Sequence, residues 1–293
     1  MMIIPTNVSP MHRRLGVCIA TASLAGAALA ADPFVGATAT GTVTSFSVIC
    51  STCPIDVQPT VRVADGGPGF PSAAVSAEDG GYFVAAKASF AGPDLLPTLG
   101  AVAHADITSE PLPTGALKIF FFAPTAIAQA MQKYTYLGSV SQTYSIDYAI
   151  DGSFLLGNSD AGSPMQVSGG LSIFGAGFNP NQEVQPTLDF DFKNRNASVI
   201  GIEPFELTGS VSFTINPGDV FYVKGTLFAN AVTDLAHLPG TVDAFNTLAM
   251  HFSAGDTSLL SAEIAAVPEP HRAALLLAGL LAVGAIARRR TER

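Results

Sequence analysis

Apolar and polar residues alternate along most of this chain with a period of two, the period of a strand with one face buried. The cleanest stretch is 142–150. Tyr144, Ile146, Tyr148 and Ile150 fall on one face, and Thr143, Ser145 and Asp147 on the other. The same alternation predicts inward Val211, Phe213 and Ile215 in a strand over 205–215. It also predicts inward Leu188, Phe190 and Phe192 over 187–192, with Asp189 and Asp191 facing out.

Further strands are predicted at 38–49, 60–64, 81–90, 101–107, 117–122, 167–174, 220–231, 247–252 and 258–264. Phe120, Phe121 and Phe122 in succession predict a strand buried on both faces. Turns separate these runs. Residues 65–71 (DGGPGFP) read as a loop, Asp151-Gly152 as a hairpin turn returning at 153–156, and Asn216-Pro217-Gly218-Asp219 as the turn before a partner strand at 220–231. One helix is predicted in the body, over 125–133, capped by Thr125 with Ile127 and Met131 on a shared face. Many short strands with few helices to bridge them predict an all-β, antiparallel sandwich, jelly-roll-like, in one domain over 31–265.

The two ends break the pattern. Met11 reads as the true start, followed by basic His12, Arg13 and Arg14 and an apolar run to Leu29. Ala28-Leu29-Ala30 fits a small-x-small cleavage site, so residues 1–30 read as a signal peptide cut between Ala30 and Ala31. Cys18 lies too early for a lipoprotein cysteine and leaves with the peptide. At the other end, 273–287 is apolar throughout, and Arg288, Arg289 and Arg290 follow it directly. A helix of that length spans about 22 Å, a short membrane helix whose arginine cluster keeps its end cytoplasmic.

Val267-Pro268-Glu269-Pro270, this apolar helix with Gly279-Leu280, and the arginine run together resemble the PEP-CTERM sorting signal of exported proteins in Gram-negative bacteria. The resemblance covers 267–293 and says nothing direct about the body. It implies recognition by an exosortase, an integral membrane cysteine peptidase that cuts at the motif. The domain reading is therefore 1–30 signal peptide, 31–265 sandwich and 266–293 sorting signal. The precursor would be tethered in the inner membrane, and its product placed at the cell surface or outside.

Charge sharpens this picture. Residues 31–270 carry 22 acidic and 7 basic side chains, a net of 7 − 22 = −15, against −9 for the whole chain. An acidic body argues against nucleic acid, whose phosphates need a basic surface. It equally argues against docking on anionic lipid.

Chemistry is sparse. Cys50 and Cys53 form a CxxC in an oxidising compartment. A strand running into Pro54 favours a small disulfide there over redox exchange, which needs a helix N-terminus. His104, His237 and His251 form no tight metal pair. Residues 157–162 (GNSDAG) miss the nucleophile-elbow spacing of a serine hydrolase. Asp189, Asp191, Asn194 and Asn196 offer a partial calcium set, with Lys193 where an oxygen ligand belongs. With no Trp, a sugar platform would fall to Tyr82, Tyr134, Tyr136 or Tyr222.

The sequence thus points to a non-enzymatic surface or matrix protein without a cofactor. Its partners would be an exosortase, the membrane through the C-terminal helix, and extracellular polysaccharide. A glycan- or calcium-binding module and a hydrolase of matrix polymer are the alternatives.

Overall fold

In the computed structural model of the chain, the described residues are 35–48, 56–57, 61–113, 115–156, 165–179, 181–197, 200–231 and 239–263. They form fifteen strands: β1 (Gly36–Val48), β2 (Asp56–Val57), β3 (Val61–Pro68), β4 (Ser72–Asp79), β5 (Tyr82–Ala91), β6 (Leu96–Ala105), β7 (Ile107–Pro111), β8 (Leu117–Tyr136), β9 (Gln142–Leu156), β10 (Gln166–Phe174), β11 (Thr187–Asn196), β12 (Gly201–Ile215), β13 (Val220–Asn230), β14 (Gly240–Ala254) and β15 (Leu260–Ala262). A single 3-10 turn, Thr257–Leu259, precedes β15. Every ladder is antiparallel.

The strands form two sheets. The first runs β11-β10-β13-β8-β1-β2, with β3 also on β1 and with β7 and β15 on β8. The second runs β12-β9-β14-β6-β5-β4. One continuous core fills the space between them, so the architecture is an all-β sandwich.

β8 is the spine of the first sheet. One edge pairs with β1 from Met131↔Gly36 to Ile119↔Val48, and the other with β13 from Thr135↔Val220 to Thr125↔Asn230. This overturns the helix predicted over 125–133. Ala126, Ala128 and Ala130 are buried at a spacing of two and face the second sheet. Alanine is the best helix former, but intrinsic propensity is small beside tertiary context, and pairing along both edges outweighs it. The all-round burial expected near 120–122 is also absent, since Phe120 and Phe122 are only half-buried.

Three turn readings change as well. β9 runs straight through Asp151 and Gly152, pairing Asp151↔Glu206 and Gly152↔Phe205. Gly152 serves a close approach instead of a turn, because a Cβ there would lie 2.1 Å from the Asp243 carbonyl oxygen. Residues 65–68, read as loop, stay in the ladder to β1 (Asp65↔Ala39, Pro68↔Gly36). The turn at 216–219 forms as read, with the Asp219 N–H donating to the Asn216 carbonyl at 3.0 Å. It joins strands of different sheets, however, so β12 and β13 are not hairpin partners. The closing strand begins at Gly240, earlier than its alternation suggested.

Tyrosines hold one end of the core. Tyr134 stacks on Phe221 at 5.1 Å and meets Phe252 edge-on at 5.9 Å. Tyr144 packs against Tyr136, Phe213 and Phe252. Four buried tyrosine hydroxyls donate to backbone carbonyls: Tyr134 to Asp94 at 2.6 Å, Tyr136 to Val140 at 2.6 Å, Tyr144 to Asp256 at 2.8 Å and Tyr148 to Asp191 at 3.1 Å. Burial pushes the Tyr144 hydroxyl up to about 12, with Tyr136 and Asp256 adding to the shift.

Gly152→Ala should test the continuous β9. The added methyl must displace β14 backbone, so a loss of about 1–3 kcal/mol in denaturant unfolding is expected. A neutral substitution would mean that β9 turns at this position.

Candidate ligand-binding cleft

The β4–β5 hairpin closes tightly, with Asp79 opposite Tyr82 and Gly80-Gly81 between them. The Gly80 N–H donates to Asp79 Oδ1 at 2.7 Å. The Asp106 N–H donates to the Gly81 carbonyl at 2.8 Å, fastening the turn to the chain just before β7. Gly81 leaves room for an aromatic ring, since a Cβ there would lie 1.9 Å from Phe122 Cε2. The Phe122 ring rests against Tyr82 instead, with centroids 5.3 Å apart.

Between this turn and strands β1, β3, β7 and β8 opens a cleft of about 590 Å³. Tyr82, Phe120, Phe122 and Val61 give it apolar walls; Asp79 and Thr108 add polar groups. Lys118 Nζ lies 4.8 Å from the Phe120 ring centroid. A mostly apolar hollow of this size with a few polar groups suits a small ligand or one ring of a larger one. It can bind through ring faces and hydrogen bonds. Among the described residues its lining holds no histidine or cysteine, and no base stands beside a nucleophile.

A second hollow, about 540 Å³, lies over β9 and β12 and is lined by Asp151, Ser153, Arg195, Phe205 and Glu206. Asp151 and Glu206 face each other across the ladder. Both are exposed. The site lacks the water-excluding wall that divides two carboxyl groups into acid and base. Arg195 is committed to Glu203, a buried carboxylate, at 2.7 Å.

The other sequence candidates do not converge. Tyr134, Tyr136 and Tyr222 are buried and cannot form a sugar platform, while Tyr82 is half-exposed at the cleft. Their rings looked available in the sequence because an inward tyrosine has no local signature. His104 Nδ1 lies 2.8 Å from Thr241 Oγ1, on the neighbouring strand. His251 stands opposite Asp147. Ser210 donates to Asp147 at 2.7 Å, which with Ser253 and His251 holds that carboxyl below the usual range. The Asp therefore sits between Ser and His, and the histidine is not placed to take the serine proton as a triad requires.

The calcium set also separates. Asp189 and Asp191 face β12, whereas Asn194 and Asn196 face the opposite way. Asp189 accepts N–H groups from Phe190 at 2.9 Å and Ser212 at 2.8 Å, and Asp191 pairs with Lys193 at 3.0 Å. This inverts the predicted burial of β11. Leu188, Phe190 and Phe192 are 46%, 65% and 48% exposed, because the aspartates and not the rings meet the edge of the second sheet. Among the described residues no three His, Cys, Asp or Glu gather to hold a metal, and no helix is long and apolar enough to cross a membrane.

Cys50, Cys53, His237, residues 157–162, Ala30, Ala31, Val267, Pro268, Glu269, Pro270 and the arginines 288–290 lie outside the described residues. Of the cleft residues the sequence singled out Tyr82 alone; Asp79, Thr108, Phe120 and Phe122 were not read as part of a site. The Asp79-Gly80-Gly81-Tyr82 hairpin was their one local signal, since Phe122 is distant in sequence. Compared with models of known protein families and with curated proteins, the chain matches none.

Tyr82 and Tyr134 should respond differently to truncation. Tyr134→Ala removes a fully buried ring and should cost about 3–5 kcal/mol. Tyr82→Ala removes a ring from a cleft wall and should cost about 1 kcal/mol. Equal losses in parallel denaturant melts would make Tyr82 a core residue and close the case for a cleft.

Proposed function

We propose that the chain is an exported, non-enzymatic protein of the cell surface or extracellular matrix. On this reading 1–30 is a signal peptide, 31–265 a jelly-roll-like sandwich with a Cys50–Cys53 disulfide, and 266–293 a PEP-CTERM sorting signal. The apolar helix over 273–287 holds the precursor in the inner membrane until an exosortase-type peptidase acts at the motif. The single observation carrying the proposal is the order of Val267-Pro268-Glu269-Pro270, an uncharged apolar run and Arg288-Arg289-Arg290. The basic n-region and the Ala28-Leu29-Ala30 site support export from the other end. Repeated crossing of the chain between sheets, at β8–β9, β9–β10, β12–β13 and β13–β14, supports the jelly-roll-like winding.

A glycan-binding role is the second reading, and the cleft favours it. Tyr82, Phe120 and Phe122 offer ring faces, and Asp79 and Thr108 offer hydrogen-bonding groups. That combination suits a sugar ring of an extracellular polysaccharide, which has one apolar face and a hydroxyl rim. A hydrolase reading has less support, since both hollows lack an activated nucleophile or a shielded pair of carboxylates.

Intact mass of the protein recovered from cells and from medium tests the proposal. The expected termini are Ala31 and a residue close to Pro270. Reduction should add the mass of one hydrogen pair, from opening Cys50–Cys53. A mass retaining Arg293 in the mature protein would reduce the tail to a plain anchor and remove the exosortase. Recovery from the cytosol alone would overturn export.

A further inference from the structure

We propose that β11 is the surface through which two copies of this chain associate, strand to strand and antiparallel, about a two-fold axis at Phe192. Among the described residues β11 ends the nine-stranded sheet and pairs on one side, with β10. Its outer face carries the largest exposed side chains of any described edge: Leu188, Phe190 and Phe192, two residues apart. Three other edge strands carry the features that discourage pairing. β12 presents Pro204 and Glu206, β4 ends in Glu78 and Asp79, and β3 has Arg62 and Pro68.

The backbone of β11 is placed for pairing. The Phe190 N–H donates to Asp189 Oδ1 at 2.9 Å, a bond that draws it toward the open edge. Alternation then directs the N–H and C=O of Phe192 and Asn194 to the same open side. These groups can form a two-fold ladder with an identical strand.

Charge selects the occupant as a second copy. Along one face the order is Asp189, Asp191, Lys193, Arg195: two anions, then two cations. An antiparallel copy centred on Phe192 sets each Asp191 opposite the other chain's Lys193; Asp189 and Arg195 also fall opposite each other, each keeping its partner within its own chain, the Ser212 N–H and Glu203. Phe192 meets Phe192. Moving the axis one residue to Asp191 would set aspartate against aspartate, and parallel pairing would set every charge against itself, both unfavourable. Within one chain Lys193 already bonds Asp191 at 3.0 Å. An ammonium has three donors, so it can keep that partner and gain the opposing one.

The test is charge reversal in the full-length chain in detergent, read by sedimentation velocity across a concentration series. The wild type should show a monomer–dimer equilibrium. D191K and K193D each place two like-charged pairs across the interface, and each should raise the dissociation constant about tenfold or more. Mixing the two variants restores opposite charges at both positions and should restore dimer. The double variant should dimerise alone. Far-ultraviolet circular dichroism should match the wild type throughout, since neither side chain is in the core. A wild type that stays monomeric at every concentration would overturn the proposal. So would a mixture that dimerises no better than its components.

Discussion

The fold depends on how closely its two sheets approach at their alanine-rich half. Ala126, Ala128 and Ala130 of β8 and Ala101, Ala103 and Ala105 of β6 are all buried on the inner faces. Cα atoms of these two strands, one from each sheet, come within 8 Å of one another, nearer than the ~10 Å usual for stacked sheets. At Gly41 a Cβ would lie 3.1 Å from Val84 Cγ1 across the gap. Small residues are therefore a requirement of the spacing. Toward the other end the core fills with rings, Tyr134, Tyr144, Phe213, Phe221 and Phe252, and the two tyrosine hydroxyls donate to the backbone carbonyls of Asp94 and Asp256. β8 spans both regimes, which is why it must be one unbroken strand.

The open sides of the sandwich are managed by carboxylates. Asp65 of β3 accepts the Ala74 N–H of β4 at 2.9 Å, and Asp189 of β11 accepts the Ser212 N–H of β12 at 2.8 Å. Each bond joins the edge strand of one sheet to the edge strand of the other and satisfies an N–H that would otherwise face water or another chain. On the β11 side this has a consequence for association. Turning the aspartates toward β12 turns Leu188, Phe190 and Phe192 outward. The aspartate contact at the edge and the apolar row on the surface are two faces of one choice of register.

Strands whose alternation is backed by strong β formers were legible in the sequence. β9 and β12 are the clear cases, with Tyr144, Ile146, Val211 and Phe213 inward as their spacing implies. β8 was not legible. Its alanines suit a helix as well as a strand, and only neighbours distant in sequence decide between them. Asp151-Gly152 carries a turn signal that its neighbours Phe205 and Asp243 override. β11 alternates plainly, yet an edge strand has two candidate inner faces, and hydrophobicity chose the wrong one. The cleft was hidden for a related reason. Tyr82 and Phe122 lie on different sheets, and nothing local announces that they meet.

Hydrogen exchange over β8 is the most direct test of the central claim, that this strand and its alanine seam hold the sandwich together. The strand over 125–131 is paired on both edges, with β1 and β13, and its alanines lie in the closed core. Its amides should exchange last in the protein, and only through global unfolding. Exchange across 125–133 that outpaces the edge strands β11 and β12 would contradict the account, since it would leave the two sheets without their shared spine.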